Sequence, residues 1–279
     1  MAYNVMWGTN HRGYLVYLID LSLSMGERMS QEGNSKIDDV IETIKEVSEF
    51  LIGKCEDVVN MNGEEVTIIK DRFDITILGY NKEVNLLFNG SVLQLDKLLE
   101  KKYKTQSPIF DKTNKNEVLP RDLTYTAKGF RTVSNYVQDW ICNPDRGSKP
   151  IPVPIVIHLT DGYPMEYERS DNEAKSDALN AANELKRISV QDGNVLLFNI
   201  HIGQGKDDTL VFPSERPKDS NRQFLFDASS EMSDIFIRRA QNQGFNAQKG
   251  SRFMVSNQTD KVALAQLIAF GSSISMKNG

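Results

Sequence analysis

Three stretches, "YLVYLI" (14–19), "IVIHL" (155–159) and "VLLFNIHI" (195–202), are almost unbroken runs of apolar and β-branched residues. A strand with one face in water alternates apolar and polar side chains. Strands without that alternation are covered on both faces, as in parallel sheets flanked by helices. With the runs at 73–79, 84–88 and 252–255, they predict strands over 14–20, 73–79, 84–88, 153–159, 194–202 and 252–255. The segments between them have helical spacing. Ile37, Val40, Ile41, Ile44, Val47 and Leu51 form one stripe with Ser35 as N-cap, and Ala127, Phe130, Val133, Val137, Trp140 and Ile141 form another. A third helix opens on the capping box Ser170/Glu173 and is expected to run to Gly193. Two more fit 230–243, before Gly244, and 259–270, before Gly271.

Alternating strands and helices predict an α/β fold: a three-layer, Rossmann-like, doubly wound sheet with helices on both faces. The short step "GYNKE" between 73–79 and 84–88 reads as a hairpin, giving one antiparallel edge strand in a mostly parallel sheet. No linker or internal repeat divides the 279 residues, so one domain is expected, with a core of about 13–272. Two long connections, 103–123 and 203–229, lie where the chain passes the carboxyl ends of the strands, the edge at which open α/β sheets bind ligands.

Composition narrows the function classes. The net charge of −5 is spread without a basic stripe, and "KLLEKKYK" (97–104) reads as a solvated helix face, so nucleic acid is not an expected partner. Cys55 and Cys142 have no metal-like spacing and read as free, partly buried thiols in helical patterns. "MAYNVMWGTNHRG" lacks the apolar run of a signal peptide, and "VALAQLIAFG" is too short to span a bilayer. The expectation is a cytoplasmic protein with no membrane role.

The chemistry gathers at strand ends. "DLSLSM" (20–25) closes the first strand with Asp20, Ser22 and Ser24 at alternate positions. "LTDG" closes another with Asp161, and Gly162 is read as allowing the tight turn that follows. "LTYTAKGF" puts Thr124 and Thr126 just before a helix. One aspartate, two serines, a threonine and a second aspartate make an all-oxygen set, which suits a hard divalent cation. Two carboxylates neutralise such an ion and the hydroxyls add no charge, so an open position would favour a carboxylate from elsewhere.

"DLSLSM" resembles the Asp-x-Ser-x-Ser motif of von Willebrand factor A domains, the metal-ion-dependent adhesion site. "TYTAKGF" is similar to that family's threonine loop and "LTDG" to its second aspartate strand, while "VLLFNIHIGQG" and "FDASSEMSDIF" resemble stand-alone bacterial members. Leu21 and Leu23 stand where small residues are common, and Leu123 stands where a glycine often precedes the threonine. The resemblance implies that Asp20, Ser22, Ser24, Thr124 and Asp161 hold the metal, the hydroxyls directly and the aspartates often through water. Spacing to "AKG" favours Thr124 over Thr126. Mg²⁺ is the expected ion, with Mn²⁺ and Ca²⁺ as alternatives. The implied function is non-catalytic: a protein-interaction or scaffold domain whose partner supplies a Glu or Asp to the metal, in a bacterial stress or tellurite-resistance-type system. Oligomeric state is not legible.

The competing readings are a metal-dependent hydrolase using the same ion, and a vestigial site with metal-independent partner binding. A Ser-His-Asp hydrolase lacks its base, because His158 and His201 lie in apolar strands and read as satisfied core residues, while His11 lies in an irregular segment. There is no G-x-S-x-G elbow, P-loop or G-x-G-x-x-G fingerprint, and Ser22 stands where a haloacid-dehalogenase-type phosphatase would carry its second aspartate. "DKTNKNE" (111–117) reads as solvated loop rather than a calcium loop, and Asp71 and Asp74 as flanking a strand. Glu27 is near the motif in sequence, with its orientation open.

Overall fold

The computed structural model describes residues 3–28, 33–100, 119–144, 150–203, 209–273 and 276. In chain order the first half comprises β1 (Gly13–Asp20), α1 (Lys36–Gly53), β2 (Glu56–Met61), β3 (Glu64–Ile69), β4 (Phe73–Tyr80), β5 (Val84–Ser91), α2 (Val92–Glu100) and α3 (Thr126–Ile141). The second half comprises β6 (Ile155–Thr160), α4 (Asp171–Arg187), β7 (Ser189–Val190), β8 (Gly193–Asn194), β9 (Leu196–Ile202), β10 (Leu210–Val211), α5 (Ser220–Ala228), α6 (Asp234–Asn242), β11 (Met254–Gln258) and α7 (Lys261–Ser273).

A seven-stranded sheet in the order β10-β11-β9-β6-β1-β4-β5 forms the middle layer. β1 lies at its centre, parallel to both β4 and β6. The pleat divides β1 between two cores. Leu15, Tyr17 and Ile19 pack with the apolar sides of α1, α2, α6 and α7. Tyr14, Val16 and Leu18 pack with α3, α4 and α5. All eight residues of β1 are buried, as its unbroken apolar run requires. The Rossmann-like expectation holds, with one change: the sheet has antiparallel strands at both edges, β5 against β4 and β10 against β11.

Local signals explain most boundaries. The Ser35 side chain accepts the Asp38 N–H and starts α1, and both halves of the Ser170/Glu173 capping box are present at α4. α4 stops at Arg187 rather than near Gly193, because residues 189–194 turn back as the small β7–β8 hairpin. In that hairpin Asp192 accepts N–H groups of Asn4, Val5 and Val153, tying the N-terminal segment to the sheet. α6 is shorter than 230–243 but ends before Gly244, whose φ is +84°.

Gly271 does not end α7. The helix runs through it, and a Cβ there would come within 2.6 Å of the Phe198 ring. The residue is a close-approach point between helix and sheet.

The long connection expected at 203–229 contains structure. Asp219 accepts the N–H groups of Asn221 and Arg222 and starts α5, and β10 precedes it. The β2–β3 hairpin was also not anticipated; it turns on Asn62 and Gly63, both at positive φ, a strong hairpin signal. Of the connection expected at 103–123, residues 103–118 lie outside the described residues, as does "DKTNKNE". Cys55 is fully buried after α1 and Cys142 is exposed at the end of α3, both free, so neither is the partly buried helical thiol expected.

Candidate metal centre

The chain leaves β1 for β4 and β5 on one side of the sheet and later returns to β6 on the other. That reversal opens a crevice at the carboxyl ends of β1 and β6, the usual ligand position in such sheets. Asp20 ends β1, and Asp161 follows β6 directly.

Asp20 is completely buried and held by both oxygens. Oδ1 accepts the Ser22 N–H at 2.8 Å and Oδ2 accepts the Thr160 hydroxyl at 2.6 Å. Burial, reinforced by the charge of Asp161, pushes its pKa up to about 7 against the lowering effect of those hydrogen bonds. A cation beside it would favour the carboxylate form again.

The serines reach the site by a turn, not by continued pleating. Ser22 is extended, and a tight 3₁₀ turn over Leu23–Gly26 then folds the chain back. Ser22 Oγ and Ser24 Oγ are therefore 3.2 Å apart, closer than alternate residues of a straight strand. Ser24 Oγ donates to Asp161 Oδ1 at 2.8 Å. Leu21 is buried and packs on Gly79, where a Cβ would come within 2.4 Å of it, whereas Leu23 is 69% exposed.

Thr124 is buried on the segment before α3, its carbonyl accepting the Thr126 and Met165 N–H groups. A Cβ on Gly162 would lie 3.3 Å from Thr124 Oγ1 and 4.0 Å from Asp20 Oδ2, so both oxygens flank Gly162. Gly162 is not among the positive-φ residues, so its contribution is space rather than an unusual turn. Thr126 is buried as the first residue of α3. Asp20, Ser22, Ser24, Thr124 and Asp161 thus share one crevice. Among the described residues no three His, Cys, Asp or Glu side chains group as a metal site; the donor set here is two carboxylates with hydroxyls, which fits a hard cation.

Two neighbours were missed from sequence. Thr160 bridges Asp20 Oδ2 and the Gly162 N–H, and strand alternation in "LTDG" could have pointed to it. Lys36, first residue of α1, donates from Nζ to Asp161 Oδ2 at 2.7 Å, Glu27 Oε2 at 3.2 Å and the Ser24 carbonyl at 3.3 Å. No sequence signal marked it. Asp71 and Asp74, as expected, sit away from the site and pair with Arg12.

The histidines are occupied. The His158 Nδ1–H donates to Asn199 Oδ1 while Nε2 accepts from the Tyr80 hydroxyl, an assignment set by the Asn199 amide donating to Ser229 Oγ. His201 stacks on Tyr163, and its Nδ1 accepts the Asn257 N–H. Burial pushes both imidazoles down to about 4. His201, Lys36, Asp161, Tyr163 and Arg222 line a cleft of about 480 Å³ beside the site. A larger concavity of about 830 Å³, around Arg12, Lys97 and Trp140, lies at the opposite end of the strands, away from these groups.

No protein-family model matches the chain, and no curated protein is similar to it. Solved structures do align. The PilB minor pilin from Streptococcus sanguinis aligns with a TM-score of 0.54 at 12% identity, over 95% of this chain and 62% of that one. Proximal thread matrix protein 1 from the mussel byssus aligns with a TM-score of 0.51 at 13% identity, over 95% of this chain and 48% of that one. The chain thus spans about half to three fifths of the length of these structures. At such identities the likeness shows a shared fold: the mixed, mostly parallel α/β sheet flanked by helices that von Willebrand A domains also have. No helix among the described residues is long and apolar enough to cross a membrane.

Proposed function

We propose that this chain is a von Willebrand A domain protein that binds a divalent cation, Mg²⁺ in the first instance, and uses it to engage a carboxylate of a partner protein. The observation that carries the reading is the convergence of Asp20, Ser22, Ser24, Thr124 and Asp161 on the crevice where β1 and β6 part. Ser22, Ser24 and Thr124 would be direct ligands, with Asp20 and Asp161 supplying charge. Such an ion supplies an electrophilic centre for an incoming carboxylate.

The surroundings favour an interface. Leu23, Leu119, Met165 and Tyr167 are exposed large apolar side chains on segments bordering the site. Met165 and Leu23 are tied to that border by backbone hydrogen bonds to Thr124 and Asp122. An apolar rim around a charged anchor suits a protein partner. The function is proposed as non-catalytic: His158 has both ring nitrogens hydrogen-bonded, and His201 is buried with its Nδ1 taken by the Asn257 N–H. A role in a bacterial stress or tellurite-resistance-type system is the setting that the sequence resemblance adds to this proposal.

The test is calorimetric titration with Mg²⁺ and Mn²⁺, followed by capture of protein partners with and without chelator. Saturable binding by the wild type and its loss in Asp20→Ala are expected. Undiminished affinity in Asp161→Ala would refute the ligand assignment. Phosphoester or peptide hydrolysis lost in Asp20→Ala would move the protein to the hydrolases.

A further inference from the structure

Lys36 is an unusual residue for its position. A lysine at the start of a helix faces the positive end of the helix dipole, and this one is withdrawn from water, with only 10% of its side chain exposed. Three hydrogen bonds offset those costs, and they use all three ammonium protons: to Asp161, to Glu27 and to the Ser24 carbonyl. Two of those partners, Asp161 and Ser24, belong to the donor set proposed for the metal. The bond to Asp161 is the shortest, and that carboxylate is fully buried, whereas the Glu27 side chain is 70% exposed and screened by solvent.

We propose that Lys36 is a resident counter-cation of the centre. It holds Asp161 when no metal is bound, weakens binding of the free divalent ion, and strengthens binding of a carboxylate to the loaded centre. The inference rests on the metal reading above and assigns a role to a side chain outside its ligand set. The charge count gives the sign of each effect. Asp20 and Asp161 would present two negative charges, which a divalent ion neutralises fully, leaving little electrostatic attraction for an anion. With Lys36 beside Asp161 the empty centre carries one net negative charge and the loaded centre one net positive charge. Metal affinity falls and carboxylate affinity rises, so occupancy becomes coupled to the partner. An ammonium within hydrogen-bond distance of Asp161 acts at short range in a poorly screened crevice, where such a charge has a large effect.

The experiment compares wild type with Lys36→Met, which removes the charge and keeps an apolar stem, and Lys36→Gln, which keeps a donor toward Asp161. Circular dichroism and metal-free melting establish that each variant is folded. Calorimetric titration with Mn²⁺ should give a Kd lower by about tenfold or more in both variants. Acetate added to the Mn²⁺-loaded proteins, followed by water-proton relaxation, should bind more weakly to the variants than to wild type. Equal or weaker Mn²⁺ binding in the folded variants overturns the role of Lys36 and leaves the metal reading intact. Tighter acetate binding in the variants overturns the carboxylate half. Absence of Mn²⁺ binding in all three folded proteins overturns the metal reading and this inference with it.

Discussion

The Thr160 hydroxyl donates to Asp20 Oδ2 at 2.6 Å across the junction of β1 and β6, and its oxygen also accepts the Gly162 N–H. One side chain therefore fixes the carboxylate that ends β1 and the turn that carries Asp161. Thr160→Val keeps the shape and removes both bonds inside a buried site. Unfolding in urea at pH 7.5 should show a loss of about 1–3 kcal/mol. An unchanged midpoint would mean that Thr160 does not hold the junction.

Asp20 and Asp161 should respond differently to removal in metal-free protein. Asp20→Asn removes a buried charge but keeps one acceptor oxygen for two donors, so it should cost less stability than Asp161→Ala while abolishing Mn²⁺ binding. Asp161→Ala takes the closest partner from a largely buried ammonium, Lys36, and should cost about 3 kcal/mol, the lower end for breaking a buried pair because Glu27 remains. Metal-free melting curves check the contrast, and equal losses would contradict it.

His158 gives the fold an acid-sensitive step. Its folded pKa of about 4 lies below the ordinary 6.5, so the unfolded chain binds the proton first. The neutral ring's contribution is fully present above about pH 6.5 and is lost as pH falls toward 4, with roughly 3 kcal/mol at stake. Urea unfolding of wild type and His158→Gln between pH 7.5 and 4.5 should show their stability difference shrinking as pH falls. A constant difference would refute it.

Gly271→Ala places a methyl within 2.6 Å of the Phe198 ring and 3.1 Å of Ile157 Cδ1. The fold should lose about 1–3 kcal/mol through overpacking. Retained thermal stability would show that α7 can lift from the sheet without cost.

Much of this was legible in the sequence because the signals were local. Unbroken apolar runs located β1, β6 and β9, and Ser35 and Ser170 marked the starts of α1 and α4. The pattern singles out Asp20, Ser22, Ser24, Thr124 and Asp161 as candidate ligands, and the structure brings these side chains to one crevice. The misses have physical causes. The Asn62-Gly63 turn was a clear hairpin signal, but β2 and β3 are largely exposed and lack the apolar run used to find strands. α5 sits inside a stretch with Pro213 and Pro217 that read as loop, and its Asp219 cap went unnoticed. Gly271 looked like a stop because glycine's role in close packing depends on a facing ring far away in the chain. Lys36 was invisible for the same reason: its partner Asp161 lies 125 residues further along.

That separation bears on how the molecule assembles. Asp20 and Thr160 are 140 residues apart, and their contact requires β1 and β6 to be side by side. Residues 20–24 carry three of the five oxygen side chains, but Thr124 and Asp161 join them only when the sheet forms, so an ion held by all five would bind the native state and not the denatured one. Its stabilisation would then grow with the logarithm of free metal concentration. Bound manganese would thus act as a reporter of whole-sheet cooperativity: its release during unfolding should coincide with loss of the central strands and not precede it.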